Sequence, residues 1–149
     1  MYNERLSEQL AIVATIDPDA YTAAAYRTDE INMKNVQRVI FIVMAGDLGS
    51  SATLDFIVKG GAATNAGSHS TNVTGKSITQ LTQAGTDSDK QVIVEITAEE
   101  CAEQGINFIE GVMTVGTATS DCGVIALAAG LAYGNGQDYD LSTVDEVVA

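Results

Sequence analysis

The sequence has few of the residues that bind nucleic acids or carry out catalysis. Its 149 residues include no tryptophan, one proline, two cysteines and one histidine, and 7 lysines and arginines stand against 20 aspartates and glutamates. Affinity for phosphate backbones and for anionic lipid surfaces depends on Lys and Arg. The net charge of −13 therefore predicts that the chain binds neither nucleic acid nor membrane.

Long apolar runs and a secretion signal are also missing. No stretch approaches the roughly 20 apolar residues of a membrane-spanning helix, and acidic residues stand among the first charges of the N-terminus. Cys101 and Cys122 could either pair or stay reduced. Two cysteines are far fewer than a disulfide-built secreted domain contains, which favours a reduced protein made in the cytoplasm.

The sequence contains no recognisable catalytic or metal-binding motif. The chain has no G-x-S-x-G motif that would present a serine nucleophile to His69, and a lone histidine in a polar loop is more often solvated. Neither cysteine lies in a reactive signature, and with His69 the two would give at most three zinc ligands at poor spacing. The acidic segment 138–142 lacks the glycine and glutamate of a calcium loop. We therefore predict no enzyme activity, no catalytic residue, no cofactor and no metal.

The longest apolar segment is predicted to form the centre of the core. Residues 108–133 read as two apolar strands around the turn Thr117–Asp121, at a spacing typical of an antiparallel pair. The second half, 123–132, is rich enough in alanine to form a buried helix instead. Its length, its glycines and its strand neighbours favour a strand.

Further strands are predicted on both sides of a Gly-rich loop at 60–75. The branched run in 36–45 is typical of a central strand buried on both faces. Residues 53–59 alternate between apolar and polar, which indicates a strand with one face on the core. Shorter strands are predicted at 76–83 and 91–97, with turns at 46–50 and 84–89. Thr97 and Glu100 form a capping-box pattern that predicts a short helix over 98–104.

The N-terminal residues 1–28 are predicted to form an arm. Their apolar positions fit either a short helix or an extended segment, and Pro18 predicts a turn at Asp17–Asp19. Within the arm, four residues are predicted to contact a partner: Leu6, Leu10, Tyr21 and Tyr26.

Together these elements predict a mainly β protein. A domain of this length can bury a core without covalent staples. Five to seven short strands, one short helix and Gly-rich loops favour an antiparallel β-sandwich of the jelly-roll type, formed by residues 29–149 behind the N-terminal arm.

Four stretches carry a resemblance to a known family: MYNERLSEQLAIVATIDPDAYTA, VIFIVMAGDLGSSATLDF, KSITQLTQAGTDSDKQVIVEI and YGNGQDYDLSTVDEVV. They resemble a family of small virion proteins of tailed phages and prophages, whose genes lie near that of the major capsid protein. The resemblance spans nearly the whole chain. It supplies no catalytic residues.

This resemblance implies a structural role in the virion. The first expectation is a capsid decoration or cement protein, made in the cytoplasm of the bacterial host, that binds the major capsid protein on the capsid exterior as a dimer or trimer. A head-tail connector or tail component is the alternative. A third reading, from the predicted fold, is a host-surface or carbohydrate-binding module, although the loop at 60–75 has no Trp or Tyr to stack on sugars.

Overall fold

A computed structural model describes residues 5–132 and 144–148. Its strands form two antiparallel β-sheets packed face to face. In chain order the elements are α1 (Leu6–Gln9), β1 (Leu10–Tyr21), β2 (Ala24–Arg27), β3 (Ile31–Asn32), β4 (Val36–Ala45), β5 (Thr53–Gly61), β6 (Thr71–Ser77), β7 (Leu81–Thr82), β8 (Gln91–Thr97), α2 (Ala98–Glu103), β9 (Phe108–Gly116) and β10 (Ser120–Leu131).

The strand order is that of a jelly roll. One sheet runs β1-β10-β4-β8 and the other β2-β9-β5-β6, with β3 beside β9 and β7 beside β5. Leaving out the short β3 and β7, the first long strand pairs with the last, the second with the second-last, and so on inward. This is a long antiparallel ribbon folded over on itself. The prediction of an antiparallel β-sandwich of the jelly-roll type is confirmed.

The core lies between the two sheets and is lined by alternate residues of each strand. Phe41 of β4 meets Phe56 of β5 across the gap, with ring centroids 5.4 Å apart. Leu54 and Val58, on the same face of β5 as Phe56, are also fully buried. The alternation predicted for this strand is therefore confirmed.

Residues 108–131 form two strands, as predicted, but these strands do not pair with each other. β9 lies between β2 and β5 in one sheet, and β10 lies between β1 and β4 in the other. Thr117, with φ of 71°, begins the connection that crosses between the sheets. The predicted hairpin is wrong because two apolar strands can satisfy the same pattern by facing each other across a core. The choice of strand over helix for 123–132 is confirmed by β10.

The N-terminal segment is not an arm beside the sandwich. β1 pairs along its length with β10, and Ala11, Ala14 and Ile16 are buried in the core. β2 completes the edge of the other sheet against β9. The predicted boundary between residues 28 and 29 therefore does not coincide with a break in the fold.

The turn predicted at Asp17–Asp19 is a bulge within β1. The register with β10 shifts by one residue between Ile16 and Asp19, and again between Ile12 and Ala14. Pro18 lies at the shift between Ile16 and Asp19. Because β1 is an edge strand, the missing N–H of the proline does not interrupt hydrogen bonds in the middle of the sheet. The prediction was wrong because a bulge satisfies the backbone restriction of proline without reversing the chain.

β4 has the predicted bounds and a central position, but it is not buried on both faces. Val39, Phe41 and Val43 are fully buried, whereas Ile40 and Ile42 are half-buried. A continuous apolar run is typical of a strand covered on both sides. Here the second side is the outer surface of the four-stranded sheet.

The remaining predictions are corrected in detail. β5 extends to Gly61 and β6 begins at Thr71, so the predicted loop at 60–75 spans only 62–70. The strand predicted at 76–83 is replaced by the end of β6 and the two residues of β7. β8 is confirmed at 91–97. The short helix is confirmed as α2, with both hydrogen bonds of the capping box at Thr97 and Glu100, and α1 is an additional single turn.

Candidate functional site

The outer surface of the four-stranded sheet carries apolar side chains on all of its strands. In an antiparallel pair, residues directly opposite each other point to the same side. The strand registers therefore place one set of apolar residues together on the solvent side, which we call the outer apolar face: Leu10, Ile12, Ile40, Ile42, Met44, Ile93, Ile125 and Leu127.

These residues form continuous rows across the sheet. Ile42 lies between Ile125 of β10 and Ile93 of β8, and the next row places Ile40 beside Leu127. Ile93 is 64% exposed and Met44 38% exposed, and the others are half-buried. Contiguous exposed apolar surface of this kind is typical of a protein interaction site, whereas single exposed apolar residues are not informative.

Opposite charges meet at one end of this face. Arg38 and Glu95 form an exposed ion pair with 3.4 Å between Nη1 and Oε1. Exposed pairs of this kind contribute little to stability. The two charges cancel, so this end of the face is neutral, whereas the whole chain carries a net charge of −13.

An open cleft of about 510 Å³ adjoins the face at Met44. It lies over the bulge of β1, and its lining is Pro18, Asp19, Ala20, Met44, Ala45, Gly46, Asp121, Cys122 and Gly123. The cleft combines apolar walls with two carboxylates. It lacks the convergent polar groups expected of a small-molecule site, so we assign it to the rim of the outer apolar face.

The four predicted partner-contact residues do not lie together. Leu10 belongs to the outer apolar face, and Leu6 lies on α1, which packs against β1, and is 68% exposed. Tyr21 ends β1, eleven residues from Leu10, a distance of about 36 Å along an extended strand. Tyr26 lies on β2 in the other sheet.

Tyr21 and Tyr26 instead pack against each other and connect the two sheets. Their ring centroids are 4.3 Å apart, the Tyr21 hydroxyl donates to the Asp17 carbonyl at 2.6 Å, and that of Tyr26 donates to the Thr22 carbonyl at 3.0 Å. Burial and the nearby carboxylates of Asp17 and Asp19 raise the pKa of Tyr21. Both hydroxyls therefore have partners within the chain.

His69 is buried, contrary to the prediction of a solvated loop residue. It is 3% exposed, and its Nε2 donates to Glu30 Oε2 at 2.6 Å. The loop 62–70 folds back over the outer surface of the other sheet, where Glu110 of β9 is fully buried beneath it. The Glu110 carboxylate accepts from the backbone N–H of Gly67 at 2.8 Å and of His69 at 3.0 Å, and from the guanidinium of Arg27.

This arrangement fastens the loop 62–70 to the outer surface of the other sheet. Burial alone would raise the pKa of Glu30, but hydrogen bonds from Thr64, from the Asn65 N–H and from His69 together lower it. Among the described residues, no fully buried side-chain nitrogen or oxygen lacks a hydrogen-bond partner, as buried polar groups require. Sequence reasoning missed the cluster because its members lie up to 83 residues apart.

The two cysteines are free and buried. Burial, followed by the charge of Glu100, raises the pKa of the Cys101 thiol to about 11. Burial and Asp121 raise that of Cys122 to about 11 as well. Both thiols are therefore protonated at neutral pH, which leaves them poor nucleophiles.

Within residues 5–132 and 144–148, no three His, Cys, Asp or Glu side chains come together in a way that could hold a metal ion. The acidic segment 138–142 lies outside the described residues. None of the helices in the same part of the chain is long and apolar enough to cross a membrane.

Comparison with known proteins leaves the family open. No family model and no curated protein matches the sequence. Similar solved structures include the K1 cleaved adhesin domain of Lys-gingipain from Porphyromonas gingivalis W83, with 14% identity, a TM-score of 0.37, and 68% of this chain and 60% of that one covered. Another is infectious bursal disease virus, Gx strain, with 13% identity, a TM-score of 0.41, and 89% and 35% covered. The chain thus spans less than two thirds of either structure.

Sequence reasoning also missed the outer apolar face. The apolar run in β4 predicts burial on both sides, and the strand predicted at 91–97 does not single out Ile93. The available signal was the presence of isoleucine or leucine at the outward positions of four strands, but that set becomes visible only once the strands are ordered.

Proposed function

We propose that this protein is a non-enzymatic virion structural protein that decorates the outside of a phage capsid and stabilises the shell. The outer apolar face is the observation that carries the proposal. An apolar surface spread over all four strands of a sheet suits docking against another protein better than binding a small ligand, which requires a concave site.

The charge of the chain and its resemblance to phage virion proteins support the same role. Packaged DNA would repel a protein of charge −13, so the exterior of the shell is the favourable location. Many copies bound to one lattice can together bind tightly through multivalency, even when each single contact is weak. We therefore place the outer apolar face against the major capsid protein.

Co-sedimentation with capsids that lack the protein tests the proposal. We expect the purified chain to bind them in a fixed ratio to the major capsid protein. A small, ring-sized number of copies for each particle would instead indicate a connector at one vertex. The absence of binding would overturn the decoration role.

A matched pair of variants tests which surface binds. Ile42→Thr removes apolar area from the centre of the outer apolar face, whereas Ile57→Thr makes the same change at a half-buried outward position of the other sheet. Threonine retains β-propensity, so both variants should fold. We expect only Ile42→Thr to reduce the number of bound copies. Equal losses would assign binding to another surface.

A further inference from the structure

The four-stranded sheet ends at β8, whose free edge is continuous. The ladder between β4 and β8 has no register shift, and the Lys90 carbonyl just before it accepts from the Ala45 N–H at 2.9 Å. Because residues alternate in direction along an antiparallel ladder, the backbone groups of Gln91, Ile93 and Glu95 then point away from β4. These backbone groups lie in register along the free edge, and β4 does not pair with them.

The opposite edge of the same sheet is protected against pairing. β1 carries two bulges and Pro18, features that prevent another strand from joining an edge. The seven residues of β8 contain no proline and no bulge. On the β8 edge, Lys76 donates to the Glu95 carbonyl at 2.7 Å, and the backbone groups of Gln91 and Ile93 also point to the free edge. β8 is therefore the edge of this sheet that is open to another strand.

We propose that β8 pairs antiparallel with β8 of a second copy of this chain, which joins the two four-stranded sheets into one of eight strands. Ile93 lies at the middle of the free edge, is 64% exposed and continues the outer apolar face through Ile42. A two-fold axis beside Ile93 brings the same surface of both copies together, as a symmetric dimer requires.

The sequence of β8 is self-complementary in one register. With Ile93 opposite Ile93 of the second copy, Val92 meets Val94 on the inner side and Gln91 meets Glu95 on the outer side. Pairing that centres on Glu95 would instead place two carboxylates directly opposite each other, which is unfavourable. This match of apolar to apolar and amide to carboxylate is the reason for choosing a second copy as the occupant.

The inference does not depend on capsid binding, and it is tested on the full-length chain alone. Sedimentation velocity over a concentration series should show a monomer-dimer equilibrium for the natural sequence. Ile93→Glu places like charges across the two-fold axis and should shift the equilibrium to monomer. Ile57→Glu, on the other sheet, should leave it unchanged. A monomer at all concentrations would overturn the proposal.

Disulfide trapping tests the register and does not depend on whether Ile93→Glu folds. Opposite residues in a hydrogen-bonded antiparallel pair have Cα atoms about 5.5 Å apart, within reach of a disulfide. Ile93→Cys should therefore form a covalent dimer under mild oxidation. Gln91→Cys should not, because the two copies of residue 91 are offset by about 13 Å along the strands. Equal trapping of both variants would refute the register, and the buried native cysteines give a low background.

Discussion

Glu110 and Glu95 show how differently the same residue type can act in this protein. Glu110 is fully buried and receives hydrogen bonds from two backbone N–H groups and from Arg27. Glu95 lies on an edge strand, 48% exposed, and meets Arg38 at 3.4 Å. Removing one partner of a buried pair leaves the other partner buried without a hydrogen bond. In an exposed pair, water takes the place of the partner that is removed.

Replacing Glu110 by alanine should therefore destabilise the fold markedly. We expect a loss of about 2–4 kcal/mol, because Arg27 and two N–H groups would lose their acceptor. Urea unfolding of Glu110→Ala measures it. Glu95→Gln is the control and should cost well below about 1 kcal/mol. Similar losses for the two variants would contradict the role of the cluster.

Glu30 makes the fastening of the loop dependent on pH. Its folded-state pKa lies below the ordinary value of 4.5, since the hydrogen bonds from Thr64, Asn65 and His69 outweigh burial. Its contribution to stability is therefore complete above about pH 4.5 and is lost as the pH falls through the folded-state pKa.

The measurement is the free energy of unfolding between pH 7 and pH 3. The natural chain should lose more stability below pH 4.5 than Glu30→Gln does. Glu103→Gln, on the exposed side of α2, serves as the control and should retain the dependence of the natural chain. An unchanged slope in Glu30→Gln would show that the carboxylate does not hold the loop.

At the level of elements, β1 is the segment that the structure most changes from expectation. A free arm could be removed without loss of the sandwich. β1 instead supplies Ala11, Ala14 and Ile16 to the core and covers one side of β10. Its two bulges and Pro18 explain how it does so as an edge strand without inviting a further strand.

Truncation distinguishes an arm from a strand. Deleting residues 1–28 should abolish cooperative thermal unfolding, because β10 and β9 would each lose a neighbour and apolar core surface would be exposed. Deleting residues 1–9 leaves β1 complete and should preserve the transition. Circular dichroism during heating checks both variants. A cooperative transition in the chain that lacks residues 1–28 would instead support the interpretation of this segment as an arm.

At the level of the whole molecule, the charge of −13 opposes self-association through any surface. Salt screens this repulsion, and the screening length falls from about 10 Å at 0.1 M to about 3 Å at 1 M. The proposed β8 contact itself consists of apolar pairs and of amide to carboxylate pairs, which salt weakens little.

The dimer should therefore be tighter in high sodium chloride than in low. Sedimentation equilibrium at about 0.1 M and about 1 M salt measures the dissociation constant at the two screening lengths. The Ile93→Glu variant should remain monomeric in both. Association that weakens with salt would indicate an interface held by ion pairs, in conflict with pairing through β8.

The sequence by itself determined the local properties of this protein. The alternation in β5 and β8, the capping box at Thr97 and the turn at 84–89 all follow from neighbouring residues. Short strands joined by Gly-rich turns were enough to predict an antiparallel jelly-roll-like sandwich. Each of these properties depends on positions a few residues apart, where spacing and side-chain type specify the backbone.

The tertiary structure alone decided which strands became neighbours. It placed β9 and β10 in different sheets, brought Glu30, His69 and Glu110 together, and gathered the outer apolar face from four strands. The physical reason is that the same apolar pattern fits two strands that are neighbours in one sheet and two strands that face each other across the core. Only the packing of the whole chain distinguishes these arrangements, and the surface left uncovered is known once that packing is complete.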